Sequence, residues 1–334
     1  MSMARTPKPV APDTRPLWQR LLLRRLKFLV VVAVVLGLGA GLVYVFAPAM
    51  LLKADAARQA MSAHLEKKSI VAGDTTWSYY EGGDGPTIVL LHGFASNKET
   101  WLETAKGLTE HFHVVIPDLP GWGESSRHDD GDYGIPAQAD RLESFAAAIG
   151  VQRFLLVGQS MGGAIAGVYA DRHPERVASL VLMSSFGLTA KGNDFVRDVK
   201  AGNNPFVYHD RAGLEALLAR IFVKPPHIPG RLEDALIARN EKDHAFIERT
   251  FEELKEPAQA YSLDPVIGKL SMPVLGIWCH DDKVIDVSAL DTLRAGLKSS
   301  PSIGATVLNG CNHMPMLEKP VETARIITGF ALAH

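Results

Sequence analysis

The stretch Gly158-Gln159-Ser160-Met161-Gly162 fits the pattern G-x-S-x-G. Leu155, Leu156 and Val157 before it are strand formers, and Ala164, Ile165, Ala166 and Val168 after it suit a helix packed closely on a sheet. A serine at so sharp a strand-to-helix reversal takes strained backbone angles, and the flanking glycines leave room for the turn. Its hydroxyl then stands clear of the sheet at a helix start, where free N–H groups favour negative charge. That is the setting an acyl-transfer nucleophile needs. A serine hydroxyl attacks poorly until a base takes its proton and an acid orients that base. Downstream, GCNHMPMLEKP offers His313, held in its loop by Gly310 and Pro315, while IWCHDDKVID offers Asp281, Asp282 and Asp286. A tetrahedral oxyanion also needs N–H donors. Met161, directly after the serine, supplies one. The other is expected from Phe94 in LLHGFASNKETW, where Gly93 lets the backbone approach closely. His92 reads as a brace for that loop, and His173, at a helix end, as structural.

These groups work together only if each sits just after a strand of one sheet. Strands are expected at Trp77 to Glu81, Thr87 to Leu91, His113 to Pro117, Arg153 to Val157, Val177 to Met183, Val274 to Trp278 and Ala305 to Leu308. Helices are expected at Glu99 to Leu108 and Ala137 to Ile149. Such alternation implies a mostly parallel sheet with helices on both faces, whose sites lie at the carboxyl ends of the strands. Between Phe186 and Ser262 the rhythm changes to helix alone. Leu214, Leu217, Leu218, Ile221 and Phe222 form one apolar stripe, and Ile247, Phe251 and Leu254 a second. Most of these residues are expected to pack the insert on the core, with a few lining an apolar channel above the serine.

The first part of the chain is different in kind. Residues 28–52 carry no charge, and Phe28 to Phe46 alone makes about 28 Å of helix, close to the roughly 30 Å hydrocarbon core of a bilayer. Arg5, Lys8, Arg15, Arg20, Arg24, Arg25 and Lys27 precede it against one acid, Asp13, whereas only Lys53 and Arg58 are nearby cations after it. The basic flank should stay in the cytoplasm and send the rest of the chain across. Ala47-Pro48-Ala49 resembles a signal-peptidase site, but the apolar and basic stretches are long for a signal peptide, which favours an uncleaved anchor. Gly37 and Gly41 have the spacing of a helix-pairing motif, though small residues are common in such spans. The expected organisation is a basic cytoplasmic tail over 1–27, an anchor over 28–52 and a helical juxtamembrane stalk over 53–67, read as helix to Lys68. A core over 68–185 and 263–334 follows, interrupted by a helical cap over 186–262.

Over the 334 residues the net charge is −2, which proposes no nucleic acid or other polyanion as partner. His111 and His113 have no carboxylate or cysteine cluster beside them, so neither a metal nor another cofactor is expected.

The order Ser160, acid, His313 is that of the α/β-hydrolases. LLHGF, DLPGWGESS, LVGQSMGG, the aspartate loop and GCNHMP together resemble that superfamily over residues 68–334. In wording and layout the chain is similar to its membrane-anchored monoacylglycerol lipases and bacterial lipase-esterases. The resemblance implies an α/β-hydrolase fold and hydrolysis of monoacylglycerols or related short and medium acyl esters, with a triad of Ser160, Asp282 and His313. It points to Asp282 through the spacing G-x-x-D, although Cys279 stands at the glycine position and Asp286 where proline is common, which keeps Asp281 open. A lipid ester substrate and contact with membrane lipid follow; oligomeric state does not. Carbon–carbon bond hydrolases or perhydrolases of the same fold are the rival chemistry, and a non-catalytic binding module is the rival class. An aspartate nucleophile is excluded by Ser160.

The chain has two cysteines. If Asp282 and His313 hydrogen-bond, their loops are adjacent, and Cys279 and Cys311 are brought near each other. An oxidising compartment would let them form a disulfide; two buried thiols with unsuitable geometry are the alternative.

Overall fold

The computed structural model describes residues 15–334; Arg5, Lys8 and Asp13 of the basic flank lie outside them. The chain forms two compact units divided between Leu51 and Leu52. In the first, helix α1 (Leu17–Phe46) is long and apolar enough to cross a membrane. It starts well before Phe28, so that Arg20, Arg24, Arg25 and Lys27 ride on its early turns. Ala47 leaves the helix and Pro48, which has no N–H to continue the ladder, opens α2 (Pro48–Ser62). The uncharged run 28–52, expected as one span, is therefore divided between two helices.

The second unit is built on eight strands: β1 (Leu65–Ala72), β2 (Thr75–Gly82), β3 (Thr87–Leu91), β4 (His113–Pro117), β5 (Phe154–Gln159), β6 (Val177–Met183), β7 (Val274–Cys279) and β8 (Ile303–Leu308). Their order in the sheet is β1-β2-β4-β3-β5-β6-β7-β8. Strand β2 alone is reversed, antiparallel to both β1 and β4; from β4 to β8 every pair is parallel. The stalk helix expected to reach Lys68 ends at Ser62, and Leu65 already begins β1. The cause is the two-residue loop Gly73-Asp74. With Gly73 at φ +61° it folds Ala72 back onto Thr75, and the resulting register lets Lys68 pair with Glu81 at 2.8 Å.

Apolar runs without alternation mark strands buried on both faces, and period two divides them. Val89, Leu91, Leu156, Leu180 and Leu182 face one side, covered by α4 (Ile135–Ala148), α5 (Met161–Arg172) and the helix Ser288–Gly296. Ile88, Leu90, Leu155, Val157, Val181 and Met183 face the other, covered by α3 (Leu102–Leu108) and the helix Pro320–Leu332. The cap contains α6 (Asp194–Lys200), α7 (Arg211–Ile221) and the long α8 (Gly230–Lys255). Leu214 and Phe222 of the first stripe are buried, as are Ile247, Phe251 and Leu254 of the second.

Candidate active site

The turn from β5 into α5 holds Ser160 at φ +53°, ψ −120°, a conformation that L side chains rarely adopt. What permits it is the absence of side chains on either side. A Cβ on Gly158 would lie 2.1 Å from the Gly162 carbonyl oxygen, and one on Gly162 would lie 2.5 Å from that of His92. The strain is held by the Ser160 N–H donating to the Met183 carbonyl (3.0 Å) and by the Phe186 N–H donating to the Ser160 carbonyl (3.0 Å). Ser160 is half-buried at the carboxyl edge of the sheet.

The two downstream loops meet beside this turn. His313 Nδ1 lies 3.1 Å from each carboxylate oxygen of Asp282, and the two residues are only 4% and 7% exposed. Asp282 Oδ1 also accepts the N–H groups of Val284 and Ile285, both at 2.9 Å, which fixes the carboxylate. Asp281 bonds instead to His280 on the surface, and Asp286 accepts the Ser288 N–H; neither touches His313. Gln159, next to the serine, donates to the His313 carbonyl at 3.0 Å and so ties the turn to the histidine loop. Among the described residues the Ser160 hydroxyl itself makes no hydrogen bond, and the bond that joins the serine turn to the histidine loop is that of Gln159 to the His313 backbone carbonyl. The cysteines are joined: Cys279, the last residue of β7, forms a disulfide with Cys311, with Cα atoms 5.4 Å apart. It closes 32 residues of separation, which on chain-entropy grounds stabilises the fold by roughly 3–4 kcal/mol.

The loop after β3 lies over the serine. A Cβ on Gly93 would come within 3.1 Å of Ser160 Cβ, so the backbone of Gly93 and Phe94 runs directly past it. Met161 is the first residue of α5, where helix geometry leaves its N–H without an intrahelical partner. Among the described residues neither the Phe94 nor the Met161 N–H donates to a protein acceptor. His92 is fully buried: Nδ1 lies 2.8 Å from the Gly93 carbonyl and Nε2 accepts the Leu119 N–H at 3.0 Å. Burial holds its pKa down to about 4, so it stays neutral and braces the loop. Phe94 packs on Trp122, on Phe206 of the cap and on Phe251 of α8, with ring centroids 5.0, 5.1 and 5.8 Å apart. Phe94, whose backbone neighbour Gly93 passes Ser160, thus joins an aromatic cluster drawn from core and cap.

Residues 86–320 match the model of the alpha/beta hydrolase fold family. The chain belongs to the α/β-hydrolase family. Over 92% of its length this α/β hydrolase is similar, at 37% identity and TM-score 0.82, to a structure described as a membrane phospholipase A, a bacterial virulence factor, covering 98% of that chain. It is 32% identical to monoacylglycerol lipase ABHD6 of Homo sapiens over 74% of this chain and 76% of that protein. Lipase 3 of a Moraxella strain is 29% identical over 80% and 84%.

Sequence reasoning missed several residues that shape this α/β-hydrolase site. Lys98 has no exposed surface; its Nζ lies 2.6 Å from Asp118 and 3.1 Å from Glu124. Burial alone would lower the lysine pKa, but these carboxylates and Glu99 raise it, and Lys98 is held charged. Asp118 accepts the Lys98 and Glu124 N–H groups as well, at 2.7 and 2.8 Å. This cluster joins the loop after β3 to the loop after β4. Its only sequence signal was Gly123, where a side chain would collide with the Asp118 carboxylate. Gln159 and Asn312 stood inside quoted motifs but have partners too distant in sequence to be foreseen.

Proposed function

We propose that this α/β hydrolase cleaves carboxylic esters of lipids through an acyl-enzyme on Ser160. The observation that carries the reading is the buried Asp282–His313 pair beside a serine held at positive φ. His313 takes the Ser160 proton as Oγ attacks the ester carbonyl, and Asp282 orients the ring and stabilises the imidazolium. The Phe94 and Met161 N–H groups, free of protein acceptors, hold the oxyanion. The tetrahedral intermediate collapses with loss of the alcohol, which leaves with the proton from His313. Water then attacks the acyl-enzyme and gives its proton to His313, which passes it to Ser160 Oγ as the bond from Oγ to the acyl carbon breaks and the fatty acid departs. The serine–histidine hydrogen bond forms with substrate in place, as apo sites often hold it long.

The apolar aromatic cluster around Phe94 suits an acyl chain, for which short or medium lengths are proposed, and the relatives named as monoacylglycerol lipase and lipase support glycerol esters. A second reading, phospholipid acyl esters, is favoured by the 37% identity to the membrane phospholipase A. A chain-length series of p-nitrophenyl esters, monoacylglycerols and diacyl phospholipids on detergent-solubilised protein decides between them. The first reading expects monoacylglycerol turnover to exceed phospholipid turnover, with both absent in Ser160→Ala. The reverse ratio replaces the substrate, and no ester turnover at all ends the proposal.

The same reading puts α1 in the cytoplasmic membrane with its basic start inside and the hydrolase unit outside. The Cys279–Cys311 disulfide supports it, since such bonds persist in oxidising compartments. Protease added to intact spheroplasts is expected to remove the hydrolase unit and spare a short anchored fragment. Alkylation under denaturing, non-reducing conditions is expected to find no free thiol. Full protection with two thiols per chain would put the unit in the cytoplasm. A mature start at Met50 would mean signal-peptide cleavage.

A further inference from the structure

We infer that Asn312 is a positioning residue that locks the end of cap helix α7 to both the acid loop and the histidine loop. The inference rests on the roles proposed above for Asp282 and His313. The last four carbonyls of any α-helix lack intrahelical partners and must find others, the more so when buried. At the end of α7, Phe222 turns extended and its N–H takes the Leu218 carbonyl at 2.9 Å. The next carbonyls are answered from the catalytic loops. Arg220 O accepts from Asn312 Nδ2 at 2.9 Å, and Ile221 O accepts from the His313 N–H at 3.1 Å. One residue further, the Val223 N–H donates to Glu318 Oε1 at 2.8 Å, and Glu318 Oε2 accepts the Asn312 N–H at 2.6 Å.

The other half of the Asn312 amide reaches the acid. Its Oδ1 accepts the N–H of Lys283, the neighbour of Asp282, at 2.8 Å. Asn312 has no exposed surface, so both bonds are made without competition from water. Only one amide orientation fits, because one partner is a backbone donor and the other a carbonyl. Aspartate, of the same shape, would set an anion against the Arg220 carbonyl. Alanine would leave both partners unsatisfied. No other side chain joins all three segments among the described residues. A cap that opens must therefore do so away from the end of α7, or carry His313 with it.

The test compares Asn312→Asp, which conserves volume, and Asn312→Ala with Tyr169→Phe in the full chain in detergent. Tyr169→Phe removes a hydrogen bond to Glu143 and controls for lost stability. Both Asn312 variants are expected to lose about 100-fold in kcat for a p-nitrophenyl ester, the scale of a small misplacement of reacting groups, with KM nearly unchanged. Fluorophosphonate labelling of Ser160 should slow in parallel, well below each variant's Tm. Unchanged kcat and labelling, with a Tm loss like that of Tyr169→Phe, would reduce Asn312 to a structural residue. Should both variants fail to fold, hydrogen exchange on the wild-type protein answers instead. Segments 214–223 and 309–318 are expected to be protected to the same degree, and exchange of the α7 end far ahead of the histidine loop would overturn the coupling. Ser160→Ala and His313→Ala separate the two claims. If they are inactive while the Asn312 variants are not impaired, only this inference fails; if they retain activity, the proposed catalytic roles fail first.

Discussion

Ser160→Ala is expected to abolish ester hydrolysis, lowering kcat by about 10⁶-fold, the loss seen when a serine hydrolase is stripped of its nucleophile. The fold should be unaffected, because the change removes one oxygen that makes no hydrogen bond among the described residues and the strained backbone at φ +53° is held by Met183 and Phe186. His313→Ala should be nearly as severe, and the double variant no worse than either alone, since the two groups act as a unit. The measurement is burst and steady-state kinetics on a p-nitrophenyl ester, with a fluorophosphonate probe read by mass spectrometry on the peptide containing Ser160. A variant retaining more than a trace of turnover, or a label found elsewhere, would remove Ser160 from the mechanism and favour the non-catalytic reading.

Asp282→Asn should lower kcat by about 10⁴-fold, because an amide cannot hold the imidazole in the tautomer that accepts the serine proton. The carboxylate sits 3.1 Å from His313 Nδ1 through both oxygens, and two backbone N–H groups keep it there. Asp281→Asn is the matched control. Its side chain is about half exposed and pairs with His280, so kcat should change by less than about two-fold, as surface substitutions away from a site usually do. Circular dichroism and Tm on both variants separate lost chemistry from lost fold. If Asp281→Asn proves the more damaging, the acid has been assigned to the wrong residue.

The difference between those two aspartates shows how far the sequence reaches. Adjacent residues in a loop after β7 present alternate directions, and which of them meets a histidine 31 positions away is set by where β8 lies. The spacing relative to Cys279 favoured Asp282 only through resemblance to a family. Likewise the two cysteines were near each other only if the loops were, and the in-register pairing of Cys279 with Leu308 brings them together. Strand β1, and with it the hairpin to the expected strand at Trp77 to Glu81, went unread because half of LEKKSIVA is polar and most of it is exposed at the sheet's edge, where a strand shows little apolar alternation. Its turn glycine, Gly73, was the available signal.

What the sequence by itself determined is local and steric. The nucleophile turn was legible because Gly158 and Gly162 are positions where a single carbon would meet backbone at 2.1 and 2.5 Å, so the motif carries its own geometry. The parallel sheet was legible because strands buried on both faces are apolar at nearly every position, and α1 as a candidate span because Phe28 to Phe46 is uncharged and long enough to cross a bilayer. The tertiary structure alone decided the long-range partners: Asp282 for His313, Asp118 and Glu124 for Lys98, and the end of α7 for Asn312. These are polar contacts between residues 20 to 92 positions apart. They leave no periodic trace in composition, because a single buried hydrogen bond constrains one residue's chemistry and not its neighbours'. Their geometry exists only once the sheet has set which loops stand side by side.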